Sequence, residues 1–186
     1  MNYKIKTPDE LSDDEIQHIL ILWNISEWKE MKLTHFRNLF ENSEFHFLFN
    51  SNDEILVVIR LNFDFVLEIS GKQYSLAEAV GLVAGQEKKG YGSKLVQLFK
   101  KNMMQRNIET VGFCFADLRP FYQRCGIQIL ENKAKSIVEK TEIGWITAED
   151  DDILIFNISE QNKEILLNLS SENNAYLITK EQYNEL

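Results

Sequence analysis

The 186-residue sequence contains only two cysteines, Cys114 and Cys125. Two thiols cannot build a disulfide framework, and this pair lacks metal-ligand spacing, so neither a disulfide scaffold nor a structural metal is expected. Long apolar runs are also missing. No stretch approaches the length that spans a bilayer, which argues against a membrane protein. Met1 to Lys6 leads into the polar Thr7-Pro8-Asp9-Glu10 instead of a signal-peptide core, so a cytoplasmic location is expected. Positive charge is in deficit, with 20 Lys and Arg against 29 Asp and Glu and a formal net charge of -9. Such a chain repels polyanions unless a local basic patch takes over, which excludes unselective nucleic-acid binding and favours cationic partners. Repeats and low-complexity linkers are absent too.

The chain is 44% hydrophobic and 26% charged, enough for one substantial core. One domain is expected over residues 1–158, with 159–186 as a C-terminal extension, either a docked helix or a partly ordered appendage. Tyr3 to Lys6 alternates as a short strand. Ser12 and Glu15 form a capping-box pattern ahead of Ile16, Ile19, Leu20 and Trp23, so the first helix starts near Ser12. Trp28, Met31, Phe36, Leu39 and Phe40 recur at three- and four-residue spacings, which predicts a second helix with these residues as core. A hairpin is expected from Phe45–Phe49 and Ile55–Ile69 around the turn Asn50 to Asp53, and a second turn at Ser70-Gly71-Lys72.

A strand from Ala77 to Ala84 and a helix from Ser93 to Arg106 flank Glu87-Lys88-Lys89-Gly90-Tyr91-Gly92-Ser93-Lys94. Two glycines at a strand-to-helix junction make an anion site, because the first helical turn leaves N–H groups unpartnered and glycine admits a ligand close to the backbone. Further strands are expected at Glu109–Phe115, Ser136–Glu139 and Ile153–Ile158, with a short helix at Leu118–Cys125. The order is mixed α/β, with antiparallel hairpins followed by a β-α-β unit.

Val80-Gly81-Leu82-Val83, then Gln86 through Leu95, then Phe121-Tyr122-Gln123-Arg124-Cys125-Gly126-Ile127, resemble the GNAT acyltransferase superfamily. The first motif is similar to that superfamily's pyrophosphate loop, and the second to its Tyr, three residues, Gly-Phe segment. Together they cover about the middle third of the chain. The resemblance implies an α/β (mixed α+β) acyl-CoA N-acyltransferase fold, with a central, mostly antiparallel twisted sheet flanked by helices. It further implies acetyl-CoA as co-substrate and direct attack of an acceptor amine on the thioester, without a covalent enzyme intermediate. The pantetheine arm would pair with the backbone of Val80, Leu82 and Val83. Loop N–H groups at Gly90, Tyr91, Gly92 and Ser93 would hold the pyrophosphate, with Lys88 and Lys89 meeting CoA phosphates.

Tyr122 matches the family's thiolate acid, since a phenol with an ordinary pKa near ~10 stays protonated at neutral pH. Its other reading is a half-buried aromatic bonded to a backbone carbonyl. Glu78, set between Ala77 and Ala79 on the strand before the loop, is the candidate base; its other reading is a solvent-side carboxylate. His35 and His46 stay open as bases. The acidic run Glu149-Asp150-Asp151-Asp152 before an apolar strand, together with Leu76 to Val80, resembles the aminoglycoside 2'-N-acetyltransferase branch. That implies carboxylates holding a polyamine, against the plainer reading of a solvated acidic turn.

Glu87 departs from the pattern, because it stands where Arg or Gln is usual and sets a carboxylate near the pyrophosphate. Lys88, Lys89, Lys94, Lys100 and Lys101 make the region basic, the later ones as solvated helix residues. Cys114, Cys125 and Ile127 read as packing residues. The expected activity is N-acetyl transfer to a primary amine of a small cationic acceptor by a monomer or homodimer, with no nucleic acid, membrane or metal. Two alternatives are an inactive GNAT-fold module binding acyl-CoA or protein, and an unrelated α/β protein using the loop for a nucleotide. The loop's lack of a Gly-Lys-Ser/Thr ending disfavours the second.

Overall fold

The computed structural model describes residues 1–141 and 144–178. The chain divides into two compact units, residues 1–62 with 79–99, and residues 63–78 with 100–186.

In the first unit, β1 (Asn2–Lys6) pairs antiparallel with β2 (Ser43–Phe49), and β2 with the first part of β3 (Ile55–Ile69). Phe45, Phe47 and Phe49 fall on one face of β2 because side chains alternate along a strand, and all three join one buried cluster. α1 (Asp13–Trp23) starts where the sequence places it. Ser12 Oγ accepts from the Glu15 N–H at 3.2 Å, and the Glu15 carboxylate accepts from the Ser12 N–H at 2.9 Å. Ile16, Ile19 and Leu20 form its buried stripe.

The expected second helix is shorter than the pattern suggested. Ser26–Trp28 is a 3₁₀ turn, and α2 runs only from Leu33 to Leu39. Mixed three- and four-residue spacing does not separate two short helical turns from one helix. The core assignment holds for Phe36 and Phe40, which are buried, with Trp28 and Met31 packed against them, whereas Leu39 is exposed.

The second unit holds strands in the order β6-β9-β5-β4-β3-β10-β7-β8. Its members are the later part of β3, the start of β4 (Lys72–Ala84), β5 (Thr110–Cys114), β6 (Gln128–Leu130), β7 (Ile137–Thr141), β8 (Gly144–Thr147), β9 (Asp152–Asn157) and β10 (Ala175–Ile178). β5 and β6 flank β9 antiparallel, β7 pairs antiparallel with β8, and β10 is antiparallel to β3 but parallel to β7. The Ala77 N–H donates to the Glu109 carbonyl at 2.8 Å, tying β4 to the residue before β5. β6 and β8 were not read from the sequence, being three and four residues long.

α3 (Tyr91–Arg106) follows β4, α4 (Arg119–Arg124) follows a 3₁₀ turn at Ala116–Leu118, and α5 (Glu160–Leu167) follows β9. The stretch expected as an extension contributes α5 and the sheet strand β10 up to Ile178; residues 179–186 lie outside the described residues. Leu166, Leu169 and Ala175 from it join the buried cluster of Leu67, Ile69, Val111, Ile153 and Ile155. The fold is mixed α/β with a mostly antiparallel sheet, as the motifs implied.

Candidate functional site

The glycine loop has the geometry of an anion site. Gln86 to Gly90 are exposed, Lys88 has φ 58° and Gly90 has φ 76°, and α3 begins at Tyr91. The Lys94 N–H donates to the Gly90 carbonyl at 3.1 Å, which leaves the N–H groups of Tyr91, Gly92 and Ser93 ahead of the intrahelical ladder. Three N–H groups on a positive helix end, with exposed Lys88 and Lys89 beside them, suit a pyrophosphate. Glu87 is exposed in the same loop. Of the later lysines, Lys100 is not a free solvated residue, since its Nζ donates to the Gly126 carbonyl at 2.5 Å.

Val80, Leu82 and Val83 lie half-buried on the last part of β4, where the alternation of burial fails. Within this stretch Gly81 has φ 67°, a conformation outside the extended region that glycine adopts without strain. The Trp23 indole N–H donates to the Gly81 carbonyl at 2.9 Å. A Cβ at Gly81 would sit 2.8 Å from the Trp23 Nε1. Sequence reasoning missed this pair, although a lone glycine inside an apolar strand pattern is the available signal.

Tyr122 is 7% exposed on α4, with its ring at 4.9 Å from Phe121 in an edge-to-face arrangement. Burial, with lesser contributions from Cys114, Cys125 and Asp150, raises its pKa above the ordinary phenol value. Among the described residues its hydroxyl makes no hydrogen bond, so the carbonyl-bonded alternative is not what the structure has. Glu78 is half-buried on β4. Of the two histidines held open as bases, His35 is exposed on α2 and His46 is fully buried in β2. The His46 Nδ1 lies 2.6 Å from the Tyr3 hydroxyl, and its ring stands edge-on to Phe99 at 4.7 Å, which makes it a core side chain.

The acidic run divides by role. Asp152 is fully buried, and its carboxylate takes the Arg119 guanidinium at 2.7 Å and the Asn132 N–H at 2.8 Å. Burial opposes its ionisation, yet Arg119 and Asn132 outweigh that and hold its pKa below the ordinary carboxylate value. Asp151 accepts from the Ala116 N–H at 2.8 Å and pairs with Lys135 at 3.4 Å. These two carboxylates hold the turn before α4. Asp150 is half-buried, and burial raises its pKa, while Glu149 is exposed. Cys114 and Cys125 are buried, and burial together with Asp152 and Asp150 pushes the Cys114 thiol up to about 12, which keeps it protonated.

A cavity of about 530 Å³ in the first unit is lined by Asp14, His18, Glu54, Leu56, Gly85 and Tyr91, among others. The loop and residues 79–84 belong to the first unit; Tyr122, Glu78 and the acidic run belong to the second. Among the described residues no cluster of His, Cys, Asp or Glu is arranged to hold a metal, and no helix is long and apolar enough to cross a membrane.

No family model matches the sequence, and no curated protein matches it in sequence. Solved structures match it in shape. The GNAT family N-acetyltransferase YhbS from Escherichia coli, in complex with CoA, superposes with a TM-score of 0.60 at 10% identity, over 98% of this chain and 91% of that one. An acyl-CoA N-acyltransferase from Pseudomonas aeruginosa gives a TM-score of 0.53 at 12% identity, over 83% of this chain and 97% of that one. At these identities the likeness concerns the backbone arrangement, and it extends to nearly the whole chain in the first case. The chain has the GNAT acyl-CoA N-acyltransferase fold.

Proposed function

We propose that this protein is an acetyl-CoA-dependent N-acetyltransferase that passes an acetyl group directly to a primary amine of a small cationic acceptor. The observation that carries the reading is the junction of β4 and α3, where the N–H groups of Tyr91, Gly92 and Ser93 precede the helical ladder beside Lys88 and Lys89. The same fold occurs in a protein whose structure contains CoA, the E. coli YhbS. Pyrophosphate held at the loop leaves the pantetheine arm to run along the backbone of Val80, Leu82 and Val83 toward the thioester end.

Direct transfer needs amine and thioester held in line, a route for the ammonium proton and an acid for the departing thiolate. Tyr122 is the acid in this reading. Its raised pKa keeps the phenol protonated, and its hydroxyl has no competing partner among the described residues. Glu78 is the base, directly or through a water. The net charge of -9 favours a cationic acceptor, with Asp150 and Glu149 as the acidic side chains of the run that are left for it, since Asp151 and Asp152 have internal partners.

Calorimetry with acetyl-CoA, followed by a panel of amines with thiol detection of released CoA, tests the proposal. Binding together with amine-dependent thiol release is the expected result. Binding without release on any amine supports the inactive acyl-CoA module instead, and no binding removes both.

A further inference from the structure

The peptide at Gly81 is held from outside the sheet. Gly81 has φ 67° within β4, and its carbonyl oxygen accepts from the Trp23 indole N–H at 2.9 Å. The indole fills the space a side chain would need, since a Cβ at Gly81 would meet Trp23 Nε1, Cε2 and Cζ2 at 2.8, 3.0 and 3.1 Å. Trp23 is itself fixed by rings on several sides: Trp28 at 5.6 Å and Phe40 at 5.7 Å edge-on, Phe45 at 6.0 Å tilted, and Phe36 at 6.3 Å stacked. A planar trans peptide points its C=O and the next N–H in opposite directions. Fixing the Gly81 carbonyl toward Trp23 therefore aims the Leu82 N–H away from the aromatic cluster.

We propose that Trp23 is a positioning residue for acyl-CoA: through its hydrogen bond to Gly81 it sets the backbone orientation of β4 at Leu82, the stretch that the pantetheine arm would follow. This inference rests on the reading of β4 as the acyl-CoA strand given above. Trp23 acts through Gly81, the residue its indole N–H contacts. Loss of its N–H frees the peptide to rotate, which weakens contacts to the pantetheine arm and leaves pyrophosphate contacts at the loop intact.

The test compares two probes by calorimetry, CoA and adenosine 3'-phosphate 5'-diphosphate, the latter being CoA cut after its pyrophosphate. Trp23→Phe keeps an aromatic ring and removes the donor. It is expected to weaken CoA roughly five- to tenfold while leaving the truncated probe within about twofold of wild type. A general loosening of the fold would weaken both probes alike, and that result overturns the inference, as does equal CoA binding by variant and wild type. A second measurement needs no variant. In ¹⁵N spectra of the wild-type chain, the Trp23 indole signal is expected to shift on adding CoA but not on adding the truncated probe, and a signal unmoved by CoA overturns the inference. Wild-type protein that binds neither probe overturns the acetyl-CoA reading itself, so the two failures are distinguishable.

Discussion

The core of the first unit contains an interlocked group of aromatic rings among its aliphatic side chains, whereas that of the second is built mainly of branched aliphatic side chains. Trp23, Trp28, Phe36, Phe40 and Phe45 interlock at centroid separations of 4.7 to 6.3 Å, mostly edge-on or tilted. Leu67, Ile69, Val111, Ile153, Ile155 and Leu166 fill the other core. The polar anchoring differs in the same way. The first unit aims one neutral indole N–H at Gly81, while the second buries the charged carboxylate of Asp152 against Arg119. Ring packing is insensitive to pH and salt, and the buried carboxylate is not. The conformation of β4 at Gly81 should therefore be stable to conditions under which the turn leading into the Tyr122 helix loosens.

The largest expected effect breaks the ring side of this contrast. Phe36→Ala removes a fully buried ring that touches Trp23, Phe40 and Phe45, and should cost about 3–5 kcal/mol in denaturant unfolding. A cost below about 1 kcal/mol would show that the cluster does not act as a rigid unit.

Next in size, Tyr122→Phe should lower kcat on the order of 100-fold with little change in KM for acetyl-CoA. Because burial raises the Tyr122 pKa, the phenol stays protonated through neutral and mildly alkaline pH. The wild-type rate should show no loss attributable to this group below the ordinary phenol value of about 10. An unchanged kcat in the variant removes Tyr122 from the mechanism.

Asp152→Asn tests the charged side of the contrast. A carboxylate whose folded pKa is depressed stabilises the fold fully above its unfolded value, and that contribution fades as pH falls through the folded value. The variant should melt roughly 5 °C lower at neutral pH. Below the ordinary Asp value of about 3.9 the gap should narrow, as the wild-type carboxylate takes up its proton. Melting curves across pH 2 to 7 read both effects, and a gap that stays constant with pH would mean that the ion pair is not the source.

The smallest change is at the loop. Glu87→Gln removes a carboxylate near the helix start and should tighten CoA roughly two- to fivefold, an effect that shrinks as salt rises. Titrations at two ionic strengths decide it.

Much of the fold was legible because local chemistry agreed with it. The Ser12 and Glu15 capping box, the alternating Phe45, Phe47 and Phe49, and Ile55–Ile69 as one strand each depend on neighbours in the chain. The glycine loop was legible for the same reason, as a strand end, two glycines and a helix start in succession. What failed was non-local. β8 has no buried residue, so no pattern marked it, and β10 reads as part of a polar tail until β3 and β7 are brought alongside it. The division of the acidic run was not legible, because sequence shows four similar carboxylates, while only the fold places Arg119 and the Ala116 and Asn132 N–H groups against two of them.

The sequence by itself determined the fold class, the start of α1, the hairpin and the strand-to-helix junction around Gly90 to Gly92. Helix ends, strand periodicity and glycine freedom are all properties of a few consecutive residues. Only the tertiary structure decided that Asp152 is an internal anchor, that His46 is core, and that Trp23 reaches across 58 residues to the Gly81 carbonyl. Those outcomes depend on which groups meet in space and on how far water is excluded where they meet, and neither is encoded in the spacing of residues along the chain.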